Sequence, residues 1–576
     1  MKSVKNEFIY SKRLLIIFLL GYFLSACGGG GSNNDTAASA TTLPDKVSDA
    51  TLIGVPVKSF KFIWSDVGNA SYYKILENFD GDSGFVQIGE NIRKNSQEYI
   101  HIVPIIQRVN AQYIIQSCNG IGCTDSEMLT VDSEILTNAI GNIKASLPKT
   151  GDDFGSAVSL SGDGLTLAVG SEREDSVVDF VNNTTISSSG AVHIFALDSN
   201  NVWQQQARLE ASNLGYSDRF GSSLSLNGDG SLLAVSALGD SSDANGIDGN
   251  QFNNNAIDSG SVYIFSKDKL NHWSQSNYIK ASNTGERDHF GASVSLSNDG
   301  LTLAVGAPNE DSNSVGVGSE QDNDLSLYSG AVYIFERKEN DNVWYQKSYI
   351  KADNAQSRAS FGSSLELDAT GNKMVVGAPN HSSTLEDSGA VYVFSKNETV
   401  WLQEAYLKAS NSDYGDFFGA SVSVSGDGQT IVVGAPYEDS SSIGINGDEG
   451  SDFAKNSGAA YIFSRNSLSG WQQSAYLKAS IVTREGNFGW TVDLNYDGNF
   501  LVVGAIGEST FTVNSGAIFS FTNNGIWQPS YWFKAKYADS NSLFGRSLAI
   551  NNSGETVAVG APWAHRPYSS GEIFLY

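Results

Sequence analysis

From Phe154 onward, apolar and polar residues alternate with a period of two in short runs, each closed by a turn signal. Such alternation predicts half-buried β-strands. The pattern also repeats. The dipeptide Phe-Gly opens a unit at Phe154, Phe220, Phe290, Phe361, Phe418, Phe488 and Phe544, which makes seven units. Ten positions after each Phe stands a glycine, from Gly164 to Gly554, and in five units Asp precedes it. Asp-Gly between alternating runs predicts a hairpin, because glycine accepts the positive φ of the turn. Sixteen positions after the Phe comes Gly-Ala-Pro or a variant, as at Gly306-Ala307-Pro308, with Ser236 in the glycine's place in the second unit. A third run follows, as in Gly330-Ala331-Val332-Tyr333-Ile334-Phe335. Then comes a Trp, 17 positions before the next Phe-Gly, at Trp203, Trp273, Trp344, Trp401, Trp471 and Trp527. A Tyr-Leu/Ile-Lys-Ala run completes the unit, as at Tyr406-Leu407-Lys408-Ala409. Each unit therefore predicts four strands of about five to eight residues.

Four antiparallel strands repeated seven times predict a β-propeller. A solenoid would instead show atypical capping units at both ends. Here the last unit stops after its third run, Ser570-Gly571-Glu572-Ile573-Phe574, and the missing fourth run precedes the first Phe-Gly as Asn142-Ile143-Lys144-Ala145. Lys144 lies ten positions before Phe154, as Lys280, Lys351, Lys408, Lys478 and Lys534 lie ten before their own Phe. Residues 142–145 are thus expected to pair with 572–576 and close a ring that leaves no sheet edge. The repeated Phe is expected to sit between sheets, with its glycine allowing close approach near the axis. The Trp and Tyr residues are expected to pack on outer strands, or to stack on sugar rings where exposed.

Residues near 50–138 alternate as well, with no helix expected. Runs at 60–64 and 70–75 predict two strands with Trp64 buried, and 113–118 leads into a Gly-rich hairpin turn, Asn119-Gly120-Ile121-Gly122. Cys118 and Cys123 flank that turn, so in an oxidising compartment they are expected to form a disulfide, the alternative being two free thiols.

The first residues change the picture. Lys2, Lys5, Lys12 and Arg13 precede a short apolar run from Leu14 to Phe23, which reads as an export signal rather than a membrane span. The segment Leu24-Ser25-Ala26-Cys27 resembles the lipobox of bacterial lipoproteins. That resemblance implies lipidation of Cys27 and anchoring without spanning. With Gly28 next, it implies an outer membrane lipoprotein, on the cell surface or periplasmic face. The alternatives are an ordinary signal peptide or an uncleaved anchor. The Gly, Ser, Asn, Ala and Thr residues that follow predict a flexible tether, and about 15 of them reach roughly 20 Å.

Two further resemblances set expectations. Residues 49–138 resemble a fibronectin type III domain, through a Trp on the second strand and a Tyr-x-hydrophobic strand entering an Asn-x-x-Gly turn. The Phe-Gly, Gly-Ala-Pro and Gly-Ala-Val-Tyr pattern resembles the FG-GAP repeats of the integrin α-subunit propeller and of bacterial FG-GAP proteins. The expected organisation is a signal peptide and lipobox (1–27), a tether (28–48), a fibronectin type III-like sandwich (49–138) and a seven-bladed propeller (139–576). The fold class is all-β. One departure matters: integrin-type repeats often place an Asp-rich calcium loop between the first two strands, and here that place is a tight turn such as Ser161-Gly162-Asp163-Gly164, which has too few oxygen ligands.

Acids concentrate elsewhere. Units one, two, three and five have long second-to-third-strand loops, and only these carry Asp two positions before the Phe, at Asp152, Asp218, Asp288 and Asp416. Their loops add Glu174-Asp175, Asp240, Glu310-Asp311 and Glu438-Asp439, then Asn254, Asp324 and Asp452, and Gly246, Gly316 and Gly444 share one loop position. Both sets of loops emerge on one face of an antiparallel blade. These carboxylates are expected either to share calcium or to form a solvated acidic rim. The formal charge of -27 makes nucleic acid and anionic lipid surfaces poor partners. No nucleophile elbow, phosphate loop or zinc motif is present, and the carboxylate pairs recur where a catalytic constellation would be unique. The expectation is therefore not an enzyme but a binding or adhesion module, taking a protein or glycan ligand at the loop-rich propeller face and meeting the membrane only through a lipid anchor. The alternatives are a scaffold in an outer-membrane complex and a polysaccharide-active enzyme.

Overall fold

The computed structural model describes residues 42–179, 184–338, 343–382, 385–537, 539–564 and 570–576. Cys27 and the export signal lie outside the described residues. Each of the first six Phe-Gly units builds one four-stranded antiparallel sheet in simple sequence order, and the seventh builds three strands of another. The third unit is representative: Ser293–Leu296, Thr302–Ala307, Ala331–Arg337 and Trp344–Ile350 pair in succession. Seven such sheets, numbered here 1 to 7, follow one another, and the first strand of each lies against the first strand of the next, that of sheet 7 meeting that of sheet 1. The architecture is that of a β-propeller whose innermost strands surround an axis.

Closure is visible at two levels. Sheet 7 takes its fourth strand from the beginning of the ring, with Ile573, Phe574 and Leu575 opposite Ile143, Asn142 and Gly141. The pairing stops at Ile143, so Lys144 lies beyond the strand and reaches Glu572 at 3.8 Å instead. A circle of backbone hydrogen bonds joins the first turns of all the sheets. Asp163 N donates to Gly228 O, Gly228 N to Asn298 O, Asn298 N to Ala369 O and Ala369 N to Gly426 O. Gly426 N, Tyr496 N and Asn552 N continue it to Tyr496 O, Asn552 O and Gly162 O.

The core lies between sheets rather than within them. Phe290 is fully buried, with ring centroids 5.3 Å from Tyr333 and 6.1 Å from Phe335, and shares one apolar cluster with Ile264 and Ile279 of the preceding sheet. Close approach is enforced by glycine. Gly330 opens the third strand at φ +79, and a Cβ there would lie 2.1 Å from Phe361 O of the next unit, which no side chain tolerates.

Residues 51–130 form two sheets. Thr51–Val55, Ser59–Ile63 and Glu98–Ile102 make one, and Val86–Arg93, Tyr72–Asn78, Gln112–Cys118 and Cys123–Asp125 make the main path of the other. Phe60, Phe62, Trp64, Tyr73 and Tyr113 are buried among them. Cys118 and Cys123 are disulfide-bonded across the hairpin. One expectation is corrected: a helix, Ser133–Ala139, occupies the end of a stretch read as helix-free. Its N-terminus is capped by Asp132, which accepts the Ile135 N–H at 2.8 Å. It packs on the first strand, where Gly54 leaves room for the Ile135 carbonyl. This N-terminal module docks on the first turn of sheet 7. The Lys58 ammonium donates to Glu555 O and Thr556 Oγ1, both at 2.6 Å, and Gln107 Nε2 to Gly554 O at 3.1 Å.

Candidate functional site: the loop-bearing face

The second-to-third-strand loops and the connections between units share one face. On it, the fourth residue after the Gly-Ala-Pro glycine turns inward. Glu310 accepts from the Lys351 ammonium at 2.7 Å, the Tyr349 hydroxyl at 2.8 Å and the Asn283 amide at 3.1 Å. Glu438 repeats this with Lys478 at 2.7 Å, Tyr476 at 2.8 Å and Asn411 at 3.0 Å. Asp240, one methylene shorter, holds Tyr278 at 3.0 Å while Lys280 stands at 3.4 Å. In unit one His193 and Arg208 serve Glu174, at 2.8 and 2.7 Å. In unit four His381 takes the acid's place, and Lys408 turns to Ser388 Oγ at 2.8 Å. The repeated lysine, a mere spacing mark in the sequence, is thus the internal counterion of the repeated acid. Burial pulls Lys280 and Lys408 down to about 8.

The residue after that acid braces the loop. Asp175, Asp311 and Asp439 accept the backbone N–H of Ser188, Tyr328 and Asn456 at 2.9, 2.6 and 2.7 Å. Ser241, Ser382 and Ser509 do the same for Asp258, Asp387 and Asn514. The long loops then turn outward. Ile247, Val317 and Ile445 bridge to Ile279, Ile350 and Leu477, so each loop runs along the fourth strand of its own sheet and covers that edge. The shared glycines make the turn: Gly246, Gly316 and Gly444 each receive the N–H of the paired lysine, Lys280, Lys351 and Lys478.

Each Asp that precedes the Phe by two stands beside its own unit's loop acids. Burial raises Asp152 to about 6 and Asp218, Asp288 and Asp416 to about 7. Neighbouring carboxylates add to the rise: Glu174 and Asp175 on Asp152, Asp240 on Asp218, and Glu310, Asp311 and Asp324 on Asp288. In unit five the group is most complete: Asp413, Asp416, Glu438, Asp439 and Asp452, with Asn411 and Tyr414, line a cavity of about 20 Å³. The donors are all oxygens, which suits a hard cation. As they stand they do not close around one, because Glu438 and Asp439 already have partners. Among the described residues no group of three His, Cys, Asp or Glu side chains is arranged to hold an ion.

Near the axis the units cease to be equivalent. The residue before each Phe-Gly is left-handed in every unit, φ 53 to 56, at Asp153, Arg219, His289, Ser360, Phe417, Asn487 and Leu543. Two positions after the Phe stand Ser156, Ser222, Ala292, Ser363 and Ala420, but then Trp490 and Arg546. These large groups form a continuous arc. Phe417 meets Tyr437 at 5.1 Å, Tyr437 meets Trp490 at 6.4 Å, and the Arg546 guanidinium lies 5.1 Å over the Trp490 ring. Glu172 and Asp153 act on Arg546 from sheet 1, and Arg173 pairs with Asp153 at 3.4 Å. Burial nevertheless raises Asp153 to about 6, while its hydrogen bond from Trp563 holds it back. Phe417, Tyr437, Trp490, Arg546 and Trp563 are all half-buried, and Arg173 is exposed. The sequence offered a signal, the break from small residues two places after the Phe, which has meaning only once that position is known to face the axis.

Comparison with known proteins bears on the repeats. The FG-GAP repeat family model matches residues 203–265, 273–335, 344–394 and 401–463, so the chain carries four matched FG-GAP repeats. Each match runs from the fourth strand of one sheet to the third strand of the next. No curated protein matches the chain. Among solved structures, the crystal structure of RRP9 WD40 repeats aligns with a TM-score of 0.43 at 10% identity, covering 76% of this chain and 97% of that one. A protein from Lactobacillus plantarum aligns with a TM-score of 0.40 at 11% identity, covering 73% and 91%.

Proposed function

We propose that this chain is a cell-envelope binding or adhesion module: a seven-bladed FG-GAP propeller carried by a fibronectin type III-like domain, with a protein or glycan ligand at the axial floor of its loop-bearing face. One observation carries the reading. Aromatic rings and the Arg546 guanidinium converge there, half-buried, from three consecutive units of the ring, with the exposed Arg173 beside them on the next, and Trp, Tyr and Arg are the side chains that dominate recognition sites. Five of the seven neighbouring positions are Ser or Ala, which leaves a shallow floor beside a tall aromatic wall. The buried loop acids are internally paired, so they stiffen the rim rather than react. The reading is accordingly a binder and not an enzyme.

Purified protein screened against glycan arrays and immobilised envelope proteins tests this. Trp490→Ala and Arg546→Ala are expected to weaken any ligand found by at least about tenfold, while Phe252→Ser on an exposed loop tip leaves it unchanged. Equal binding by all three variants would refute the axial site.

The lipobox resemblance puts the module on the outer membrane through lipidated Cys27. Cys27→Ala is expected to move the protein from the membrane to the soluble fraction of fractionated cells. Calcium belongs to the proposal at the unit-five cavity, where Asp416 and Asp452, which do not enclose an ion as they stand, would have to draw together around one. Titration calorimetry of chelator-treated protein, with Asp416→Asn as control, tests that. No heat at millimolar calcium removes the metal and leaves the binding face standing.

A further inference from the structure

On the opposite face the axis holds a second feature, independent of the loop site. A cavity of about 260 Å³ is surrounded by the first strands of all seven sheets, its rim formed by first-turn residues including Asn298, Gly426, Tyr496 and Asn552. The fifth residue after the Phe lines it in six units, at Ser159, Ser225, Ser295, Glu366, Asp493 and Ala549, while its counterpart Ser423 is buried between neighbouring strands. That position has a structural task, to accept the backbone N–H of the next sheet. Serine performs it four times: Ser159 Oγ accepts Leu226 N at 2.9 Å, Ser225 Oγ accepts Leu296 N at 2.9 Å, and Ser295 Oγ and Ser423 Oγ accept Leu367 N and Leu494 N, both at 3.1 Å. Glu366 and Asp493 perform the same task with a single oxygen each, toward Val424 N at 2.8 Å and Ile550 N at 2.7 Å. A hydroxyl would have sufficed. The structural role therefore does not account for two negative charges in the channel.

Nor are those charges neutralised from within. Glu174, Asp240, Glu310 and Glu438 on the loop-bearing face each have a basic partner, but no Lys, Arg or His acts on Glu366 or Asp493 among the described residues. Burial and the proximity of Asp493 push Glu366 up to about 8, and burial raises Asp493 to about 7. Ser423 stands between them in ring order and donates to Asp493 Oδ1 at 3.2 Å. Two carboxylates facing one cavity can both accept from an ammonium group, which has donors and no acceptor. The third carboxylate of the lining, Asp368, is taken up by Thr370 Oγ1 and the N–H groups of Asn372 and Lys373, and a bare metal ion would need more convergent ligands than the two that remain. A volume of about 260 Å³ leaves room for an alkyl stem, and a cavity with convergent polar groups of shifted pKa is where a ligand is to be sought.

We propose that the axial cavity binds a primary ammonium group on an unbranched alkyl stem, held by Glu366 and Asp493. The source is either a free polyamine or a lysine side chain of a partner. Ammonium binding lowers the pKa of both carboxylates, so it releases protons and strengthens as pH rises through 7 to 8, a range in which an alkylammonium stays charged. Titration calorimetry of the whole protein with cadaverine, and with a capped lysine-containing peptide, is the test. Binding is expected to be at least about tenfold tighter at pH 8.5 than at pH 6, with heats that depend on buffer ionisation. The Glu366→Ser/Asp493→Ser variant, which keeps the acceptor used by the sister sheets, is expected to lose it. Tighter binding of the peptide assigns the site to a protein lysine, and tighter binding of cadaverine to a free polyamine. No binding of either probe, binding unaltered in the double variant, or binding of magnesium without either amine would each overturn the proposal.

Discussion

Deletion of residues 140–147 is expected to lower the melting temperature by more than about 10 °C and to make unfolding lose its single sharp transition. The deletion removes Gly141–Ile143, the fourth strand of sheet 7, and opens the ring between the chain ends. It uncovers Ile573, Phe574, Leu575 and Tyr576, all at most 1% exposed in the closed protein. Burial of each such side chain is worth about 1.5–3 kcal/mol, and the freed strand also presents unpaired backbone groups. Removal of residues 28–42, within the expected tether, serves as the comparison and is expected to leave melting unchanged. Equal melting of the two deletions by circular dichroism would mean that the terminal pairing does not hold the ring.

Lys351→Met is expected to cost about 3–5 kcal/mol of stability by urea denaturation, because it leaves the Glu310 carboxylate buried without its counterion. Both partners are at most 2% exposed, and their contact is 2.7 Å. Substitution of both, Lys351→Met with Glu310→Gln, is expected to recover most of the loss, since the orphaned charge is then gone. Lys61→Met serves as a control: its partner Glu98, at 2.8 Å, is exposed, so a loss below about 1 kcal/mol is expected there. A Lys351→Met protein as stable as the parent would show that the pair contributes no more than a solvated one.

The repeat was legible because its landmarks answer to strictly local needs. The Asp-Gly turn requires a positive φ at Gly300, and the Phe290 side chain must fill a gap of fixed size, so both recur at fixed spacing. The helix Ser133–Ala139 was missed for the opposite reason. Two turns are too short to show a period, and the segment holds together through the Asp132 cap and its contact with Thr51–Val55, which sequence spacing does not reveal. The loop acids fall between these cases. Asp416 and Asp452 were readable as neighbours from blade topology. That Glu438 would be consumed by Lys478, 40 residues later, was not, because the pairing depends on a loop that folds back along the fourth strand.

The sequence by itself determined the alternation that makes strands, the count and register of the units, and the permutation that leaves a fourth strand at one end of the chain and a gap at the other. Those are properties of neighbours in the chain, and period-two alternation and turn chemistry record them directly. Only the tertiary structure decided which residues face the axis. Ring closure places Trp490, Arg546, Asp153 and Tyr437, far apart in the chain, on one floor, and it turns a substitution of Ser by Glu366 and Asp493 from a variation within a repeat into two charges in one cavity. Electrostatic and stacking interactions act over a few ångströms of space whatever the separation along the chain, so their meaning appears only when the ring is closed.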